Sequence, residues 1–279
     1  MYDYFLGGGH NFGVDRDLAA QVLTRSPITP HIARANRAFL GRAVRWCVAA
    51  GYHQFLDLGS GIPTMGNVHE IAHAHNPVAR VAYVDHDPVA VAHSRAVLDG
   101  QHRVTITEAD LRQPAAVLAS PGVTEVIDLS EPVVLLTVAV FHFMDQDDDP
   151  AGVVARYRQA MAPGSAIVLS HGSADHDDPA DAEPQQILAE LYRDSTQPVV
   201  LRDRPALRRI LAGFTPIEPG LVDLTRWRPD TTTPQPATGA YGRLHPRHGL
   251  LRLRRRPRRR PLTVPLKESA RGTGALPSP

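Results

Sequence analysis

Two glycines and an acid at the end of a short apolar run have the residue types and spacing of a nucleotide-binding turn. The run Phe55–Leu58 contains Asp57 and leads directly into Gly59, Ser60 and Gly61. This pattern predicts a buried strand that enters a tight turn. Glycine tolerates positive φ and has no Cβ, so the backbone can approach a ligand closely there. The apolar-periodic run that follows predicts a helix, and strand, glycine turn and helix form the first unit of a doubly wound nucleotide-binding sheet.

A second acid stands at the end of the next apolar run. Val81–Val84 is followed by Asp85, 24 residues beyond Gly61. An acid about 20 residues past the glycine turn, at the tip of the second strand, is placed to bind ribose hydroxyls. The glycine motif alone is a weak signal, because Pro63 and Thr64 stand where methyltransferase and dinucleotide patterns have a third glycine. The alternative is a structural turn in an α/β protein, and the downstream acids favour a nucleotide site.

The rest of the chain supplies the elements that position these residues. Apolar stretches predict further strands at 103–107, 132–139, 165–171 and 214–218. Helical patterns alternate with the strands, which predicts a parallel α/β sheet. Ligands bind such sheets at the carboxyl ends of the strands. The segments that fall at that edge are Gly59–Gly61, Asp85, Asp110 and Ala139–His142.

Differences in composition along the chain divide it into three regions. Residues 1–50 are predicted to form an N-terminal helical cap that is rich in aromatic residues, with its longest helix beginning at Thr29-Pro30. Residues 51–228 are predicted to form a cofactor-binding domain. Residues 229–279 are rich in Pro and Arg and are predicted to be an unfolded tail.

Charge is distributed unevenly between these regions. The net charge is +1, but eleven Arg and Lys and one Glu follow from Arg243 onward, so the rest of the chain carries −9. An acidic body is not built as a nucleic-acid-binding surface. Only the tail has the positive charge needed to bind nucleic acid or an anionic surface. The alternative is that the tail is a solvated extension without a partner.

Several protein classes are disfavoured. Cys47 is the only cysteine among the 279 residues, so no internal disulfide forms and a reducing compartment is expected. No basic region followed by an apolar stretch opens the chain, so no signal peptide is expected. The longest apolar run, 132–143, is too short to span a bilayer. We expect a cytoplasmic protein with no membrane association.

Several stretches together resemble a family of S-adenosylmethionine-dependent methyltransferases long catalogued as a domain of unknown function. They cover roughly residues 1–228, and the motifs begin at Tyr2 (YDYFLGGGHNF), Asn36 (NRAFL), Asp57 (DLGSGIPT), Tyr83 (YVDHDP), Val138 (VAVFHF) and Pro163 (PGS, then LSH). The resemblance implies an α/β fold: a doubly wound, mostly parallel seven-stranded methyltransferase-type sheet with an N-terminal helical cap. Pro63 in place of a third glycine is usual in this family.

The resemblance also implies roles for individual residues. It places the glycine turn, with Asp57, Gly59, Ser60 and Gly61, against the methionine part of S-adenosylmethionine. The other implied neighbours of the cofactor are Asp85 and His86 at the ribose, Asp110 and Leu111 at the adenine, and Thr137–His142, with Ala139, near the transferring methyl group. The acceptor is expected to be a small molecule, and its identity does not follow from the resemblance.

The C-terminus departs from the family pattern. The last strand is expected near Tyr241-Gly242, but the sequence there turns into Leu244-His-Pro-Arg-His and an arginine run. The tail is either a basic extension or the product of a shifted reading frame. In both cases we expect a poorly formed last strand.

Methyl transfer needs alignment and exclusion of water more than a nucleophilic side chain. An acceptor hydroxyl or protonated amine needs a base, and His142 and His171 end the fourth and fifth predicted strands. These are the predicted catalytic residues, and the alternative for each is a hydrogen-bonded rim histidine. Aromatic faces favour a sulfonium cation. We therefore expect Tyr4, in the N-terminal aromatic segment, to close over the cofactor.

Three rival functions remain. His69-Glu70-Ile-Ala-His73 matches the helical zinc signature of metalloproteases, but its helix directly follows the glycine turn and should pack on the sheet. An NAD-dependent oxidoreductase on the same fold would also use Asp85. A catalytically idle S-adenosylmethionine-binding protein is the third. The acidic run Asp145–Asp149 is interpreted as a solvated loop, so no metal site is predicted.

Overall fold

Helices and strands alternate along most of the chain. The computed structural model describes residues 2–9, 13–62, 66–175, 182–193, 198–229 and 247–253. The strands are β1 Gln54–Leu58, β2 Arg80–Asp85, β3 Val104–Glu108, β4 Val134–Val138, β5 Ala166–His171, β6 Phe214–Pro216, β7 Val222–Asp223 and β8 Arg247–Leu253. The helices are α1 Tyr2–Phe5, α2 Gly13–Arg25, α3 Thr29–Ala49, α4 Val68–His75, α5 Pro88–Val97, α6 Pro114–Ala119, α7 Pro121–Val126, α8 Pro150–Ala160, α9 Ala182–Leu191 and α10 Arg204–Ile210, with a 3-10 turn at Phe141–Phe143.

The strands form one sheet in the order β3-β2-β1-β4-β5-β8-β6. The first five are parallel to one another, and β8 is antiparallel to both β5 and β6. The two-residue β7 also pairs with β8, on the edge that β6 occupies. The predicted doubly wound, mostly parallel seven-stranded sheet is thus confirmed, with β7 as an additional short strand. The strand order reverses between β1 and β4, which is where such sheets bind ligands.

Burial of both faces explains why the central strands are continuous apolar runs. Every residue of β1 and β5 is buried. On one face, alternate residues such as Leu56 and Leu135 pack with α6, α7, α8 and α10. On the other face, residues such as Phe55 and Val134 pack with α3, α4 and the segment around Trp227. Asp57 is paired in register with Tyr83 of β2, so both lie on the α3 face.

Local sequence signals set the beginnings of several helices. Asp87 accepts a hydrogen bond from Val89 N (2.9 Å) and precedes Pro88 at the first turn of α5. Asp203 caps α10 in the same way through Ala206 N (2.7 Å). Acceptor side chains satisfy backbone N–H groups that a helix leaves free at its first turn. These caps set the first turns of α5 and α10.

The N-terminal residues form the predicted helical cap. Phe5, Ala19, Val22 and Ala33 make a small buried cluster that joins α1 and α2 to α3, and Leu191 of α9 packs against it. The cap therefore rests on the beginning of the long helix that covers the sheet.

The prediction that the chain is unfolded from residue 229 onward is wrong for residues 247–253. These form β8, which lies between β5 and β6 and pairs with β5 from Ala166↔Arg252 to His171↔Arg247. The expected strand near Tyr241-Gly242 lies outside the described residues, as do 230–246 and 254–279, whose unfolded state stays a prediction. This strand is hard to recognise in the sequence, because arginines interrupt the alternating pattern that indicates a strand. The segment forms a strand by pairing with the open edge of β5.

In the described residues, no helix combines the length and hydropathy that a bilayer-spanning segment needs.

Leu251→Pro tests the position of β8. The backbone of Leu251 is in register with Ile167 of β5 and Pro216 of β6, so proline removes an N–H from a strand that is paired on both sides. We expect the free energy of unfolding, measured by urea titration with circular dichroism, to fall by about 2 kcal/mol or more. Leu251→Val is the matched control and should change it little. Equal stability of the two variants would show that these residues do not form an inner strand.

Candidate functional site

The glycine turn lies directly against the segment that follows β4. Gly59 has φ 69°, and the N–H groups of Gly59 and Ser60 both donate to Val84 O (2.8 and 3.2 Å). A Cβ added to Gly59 would lie 2.3 Å from Val140 Cγ2. Gly61 also has a positive φ, 63°, but a Cβ there would meet no atom within 4 Å. The turn thus needs glycine for packing at one position and leaves open space at the other.

Asp85 joins the end of β2 to the glycine turn. Gly61 N donates to Asp85 Oδ2 (2.7 Å), and Asp87 N donates to Asp85 Oδ1 (3.0 Å). The exposed His86 has its Nδ1 3.7 Å from Asp85 Oδ1. A carboxylate has about four acceptor directions. Asp85 therefore keeps acceptor capacity on both oxygens while it holds the turn.

A small open cleft beside the turn contains groups of opposite charge. It is lined by Arg37, Asp57, Ser60, Gly61, Asn67, Val68 and Tyr83. Asp57 is only 8% exposed, and burial raises its pKa to about 7, with Arg37 opposing and Asp85 reinforcing the shift. Ser60 Oγ is buried and has no hydrogen-bond partner among the described residues. A buried acid, a nearby cation and an unused hydroxyl are what a polar ligand would satisfy.

Sequence reasoning missed four residues of this cleft, and Arg37 is the one of them that carries a charge; the others are Asn67, Val68 and Tyr83. Arg37 lies on α3, off the apolar face, and its Nη2 donates to Asn67 Oδ1 (3.3 Å). The motif Asn36–Leu40 contains it, yet spacing along α3 gave no sign that it faces the end of β1. Only the packing of α3 on the sheet brings it there.

Past β3, Asp110 is engaged by a neighbouring arginine. Arg112 donates to both carboxylate oxygens of Asp110 (2.7–3.0 Å) and to Asp148 Oδ1 (3.0 Å). Burial alone would raise the pKa of Asp110, but the hydrogen bonds and charge of Arg112 hold it below its usual value. Leu111 O accepts from Tyr157 OH (3.0 Å), which fixes this backbone to α8.

The end of β4 is held from the cap by a chain of hydrogen bonds. Ala139 has φ 56°, and its N–H donates to Ser170 Oγ (2.8 Å). Ser170 donates to Asn36 Oδ1 (2.7 Å), and Asn36 Nδ2 donates to Tyr2 OH (3.0 Å). Tyr2 in turn donates to Ala33 O (3.0 Å). Ala139, which has a left-handed backbone and lies where the methyl group is expected, is thus connected to α1 by hydrogen bonds.

Tyr4 lies elsewhere in the cap. It packs against the cluster around Phe5, and the two rings meet edge to face at 6.2 Å. In the described residues, Tyr2 connects α1 to the strand ends through Asn36 of α3. Closure of Tyr4 over a ligand stays a prediction.

The two predicted bases lie side by side but differ in their hydrogen bonds. The rings of His142 and His171 are 5.8 Å apart. His171 Nε2 lies 2.9 Å from Arg202 Nη1, and its Nδ1 lies 2.7 Å from Gly172 O. His142 Nδ1 is buried with no partner among the described residues. Burial lowers the pKa of His142 to about 3 and that of His171 to about 4, so both rings are neutral at pH 7.

The residues of the zinc-like motif serve the fold. His69 Nδ1 pairs with Tyr83 OH (2.8 Å), and His73 Nε2 with Ala79 O (2.9 Å). Glu70 accepts from Asn67 N (2.8 Å) and completes a capping box for α4. No cluster of three His, Cys, Asp or Glu in the described part of the chain could hold a metal ion. The three residues of the metalloprotease signature are thus engaged by contacts within the fold.

The acidic run after β4 forms a turn that binds its own backbone. Asp145 Oδ1 accepts from Asp147 N and Asp148 N (2.8 and 3.0 Å), and Asp149 accepts from Gly152 N at the start of α8. These carboxylates thus order the loop and begin the next helix.

Comparison with known proteins gives a consistent result. The profile of the family described as S-adenosyl methyltransferase matches residues 1–245. A crystal structure of a candidate methyltransferase from Thermobifida fusca YX is 37% identical, with a TM-score of 0.83 over 91% of this chain and 93% of that one. A protein of the DUF574 family from Streptomyces avermitilis MA-4680 is 32% identical, with a TM-score of 0.83 over 90% and 95% of the two chains. No curated protein matches the chain.

Gly59→Ala and Gly61→Ala separate two requirements for glycine in this turn: the positive φ, which both positions share, and the close approach of Val140, which only Gly59 has. Each alanine pays about 1–2 kcal/mol for its left-handed backbone, and only Gly59→Ala also collides with Val140. We expect urea unfolding to show the larger loss of stability for Gly59→Ala. Val140→Ala should recover part of that loss in the double variant, because it removes the Cγ2 contact and leaves only the milder contact with Cβ. Equal losses for the two glycine variants, with no recovery, would contradict the close approach.

Proposed function

Because the chain belongs to the S-adenosyl methyltransferase family, we propose that it binds S-adenosylmethionine at the carboxyl ends of β1, β2 and β4 and methylates a small-molecule acceptor. The observation that carries this proposal is the cleft lined by the glycine turn, Asp57 and Arg37, whose Gly61 is hydrogen-bonded to Asp85. The unused hydroxyl of Ser60 and the open space beside Gly61 fit a ligand that approaches the backbone.

Asp85 is proposed to hold the ribose. Two adjacent hydroxyl groups need two acceptors, and each oxygen of Asp85 uses one direction for Gly61 N or Asp87 N. The exposed His86 borders this position. The same hydrogen bond from Gly61 keeps the carboxylate in place before the ligand arrives, which lowers the entropy lost on binding.

Asp57 and Arg37 are proposed to hold the amino-acid end of the cofactor. That end carries an ammonium and a carboxylate group, which complement an acid and a guanidinium in one cleft. An ammonium group would also replace the solvation that Asp57 loses on burial. Gly59, Ser60 and Gly61 would line the same end through their backbone.

The adenine is proposed to lie between the ends of β3 and β4. Leu111 and Val140 are half-buried and pack against the same apolar layer. The carboxylate of Asp110 is already engaged by Arg112, so its proposed role is to order this loop beside the base. Ala139 would face the methyl group, and Tyr4 stays the proposed cover from the cap.

His142 is the proposed proton acceptor of the pair. Its Nδ1 is buried and has no hydrogen-bond partner among the described residues, whereas both nitrogens of His171 are engaged. A base with a free lone pair is what an acceptor hydroxyl or amine requires. The bound cofactor supplies an electrophilic methyl group on a sulfonium. The chain's part is to orient the acceptor, exclude water and take the proton at His142.

Calorimetric titration with S-adenosylmethionine tests the cofactor. We expect micromolar binding by the wild-type protein and a loss of about tenfold to a hundredfold in Asp85→Ala, since hydrogen bonds to a charged group each contribute about 1.5–3 kcal/mol. Asp99→Asn, an exposed acid just after α5, is the matched control and should bind like the wild type. NAD should not bind.

Two results would redirect this assignment. Binding of NAD but not S-adenosylmethionine would favour an oxidoreductase on this fold. Binding of S-adenosylmethionine with no transfer of a labelled methyl group to any small molecule of a metabolite extract would favour an idle binding protein.

The pH dependence of this binding tests Asp57. Its carboxyl must be ionised to pair with an ammonium group, and its pKa in the free protein is about 7. Affinity for S-adenosylmethionine should therefore rise by up to tenfold per unit as the pH goes from 5 to 7, a range in which an α-amino group stays protonated. Asp57→Asn should bind more weakly and lose this dependence. A flat profile for the wild type would contradict an ammonium partner for Asp57.

A further inference from the structure

Arg202 is a buried arginine whose contacts are backbone carbonyls and one histidine. The residue is only 6% exposed. Its Nη1 donates to Phe141 O (2.9 Å), and its Nη2 donates to Met144 O (2.6 Å) and Asp145 O (3.3 Å). All three carbonyls belong to the segment that follows β4. One guanidinium thus holds the backbone of residues 141–145 in place.

The same guanidinium decides which nitrogen of His171 carries a proton. Arginine has donors and no acceptor. Arg202 Nη1 lies 2.9 Å from His171 Nε2, so Nε2 accepts with its lone pair. The proton of the neutral ring then lies on Nδ1, which donates to Gly172 O (2.7 Å). With both nitrogens engaged, His171 has no lone pair left for an acceptor.

The backbone around Arg202 reaches the neighbouring histidine. Val200 N donates to His142 O (2.7 Å), and Arg202 N donates to Gly172 O (3.3 Å). The segment Val200–Arg202 therefore bridges the ends of β4 and β5. It holds the main chain of His142 and leaves the side-chain Nδ1 without a partner among the described residues.

The pKa values of His142 and His171 are consistent with two neutral rings beside the positive charge of Arg202. Burial is the main reason that the pKa of each ring is low, and the positive charge of Arg202 lowers both further. His171 also lowers the pKa of His142. Burial lowers the pKa of Arg202 itself, and Asp145 and Asp148 oppose that shift. Hydrogen bonds to the backbone of Gly172 and Phe141 raise the pKa of His171 in part, but burial outweighs them and both rings are neutral at pH 7.

We propose that Arg202 is a positioning residue for methyl transfer: it locks His171 as the Nδ1–H tautomer and fixes the segment after β4, so that His142 is the histidine of the pair with a lone pair for the acceptor. This inference rests on the proposed function. In the step it serves, the acceptor's O–H or N–H proton goes to His142. The freed electron pair forms the bond to the methyl carbon, and the electrons of the carbon–sulfur bond stay on sulfur. The acceptor class is therefore a hydroxyl or amine that gives up a proton.

Nuclear magnetic resonance of protein labelled with 15N in its histidine rings tests the proposal without an acceptor. His142→Gln and His171→Gln assign the two rings. In the wild type we expect His171 to show a protonated Nδ1 and an accepting Nε2 down to about pH 5, and His142 to show one nitrogen with an unbonded lone pair. In Arg202→Met, His171 should become a mixture of tautomers, and its titration should move up toward the ordinary range of histidine. Arg202→Lys should restore the spectrum in part, since it supplies one donor direction instead of a fork.

Arg209→Met is the matched control, because it removes an exposed arginine from α10 by the same substitution. It should leave both histidine spectra unchanged. Circular dichroism checks that each variant is folded. Arg202→Lys should bind S-adenosylmethionine with an affinity within about threefold of the wild type. An Nε2–H tautomer of His171 in the wild type, or an unchanged spectrum in folded Arg202→Met, would overturn the proposal. Failure of the wild type to bind S-adenosylmethionine would instead overturn the proposed function and leave the tautomer result standing.

Discussion

The hydrogen bond from Gly61 N to Asp85 Oδ2 is the interaction on which the site depends. It joins the ends of β1 and β2 across 24 residues of sequence at 2.7 Å. The turn can reach Asp85 only because Gly59 adopts a positive φ and lacks a side chain where Val140 packs. The ends of β1, β2 and β4 are thereby fixed relative to one another, and a ligand in the cleft meets backbone and carboxylate groups that are already in place.

Burial of Asp57 makes ionisation of its carboxyl costly in the folded protein. A pKa raised from 3.8 to about 7 means that the ionised form of Asp57 is disfavoured in the free protein. For such an acid, stability is greatest below the unfolded pKa and falls as the pH rises through the folded one, by roughly 4 kcal/mol in total. A cationic group bound beside Asp57 offsets this loss, and binding and stability are then linked. The histidines at the other end of the site differ, since burial keeps them neutral.

Several elements were readable from local pattern and others were not. The strands that end in Asp85 and His171 follow from apolar runs. The strand β8 was missed because its partner is β5, about 80 residues earlier in the chain. The zinc-like spacing in α4 was misleading for a related reason: spacing places two histidines on one turn of helix, but packing on Tyr83 decides what they bind.

The sequence by itself determined the doubly wound order of strands and helices and the acids and histidines at the strand ends, because period, glycine and capping signals act over a few residues. The tertiary structure decided which of those groups are free to react. Arg37 reaches Asp57 only through the packing of α3, and Arg202 reaches His171 from 31 residues away. Whether a nitrogen has a lone pair to offer depends on partners that are distant in sequence. Long-range packing therefore distinguishes His171, the last residue of β5, from His142, which lies past the end of β4 in the 3-10 turn and not at the predicted strand end.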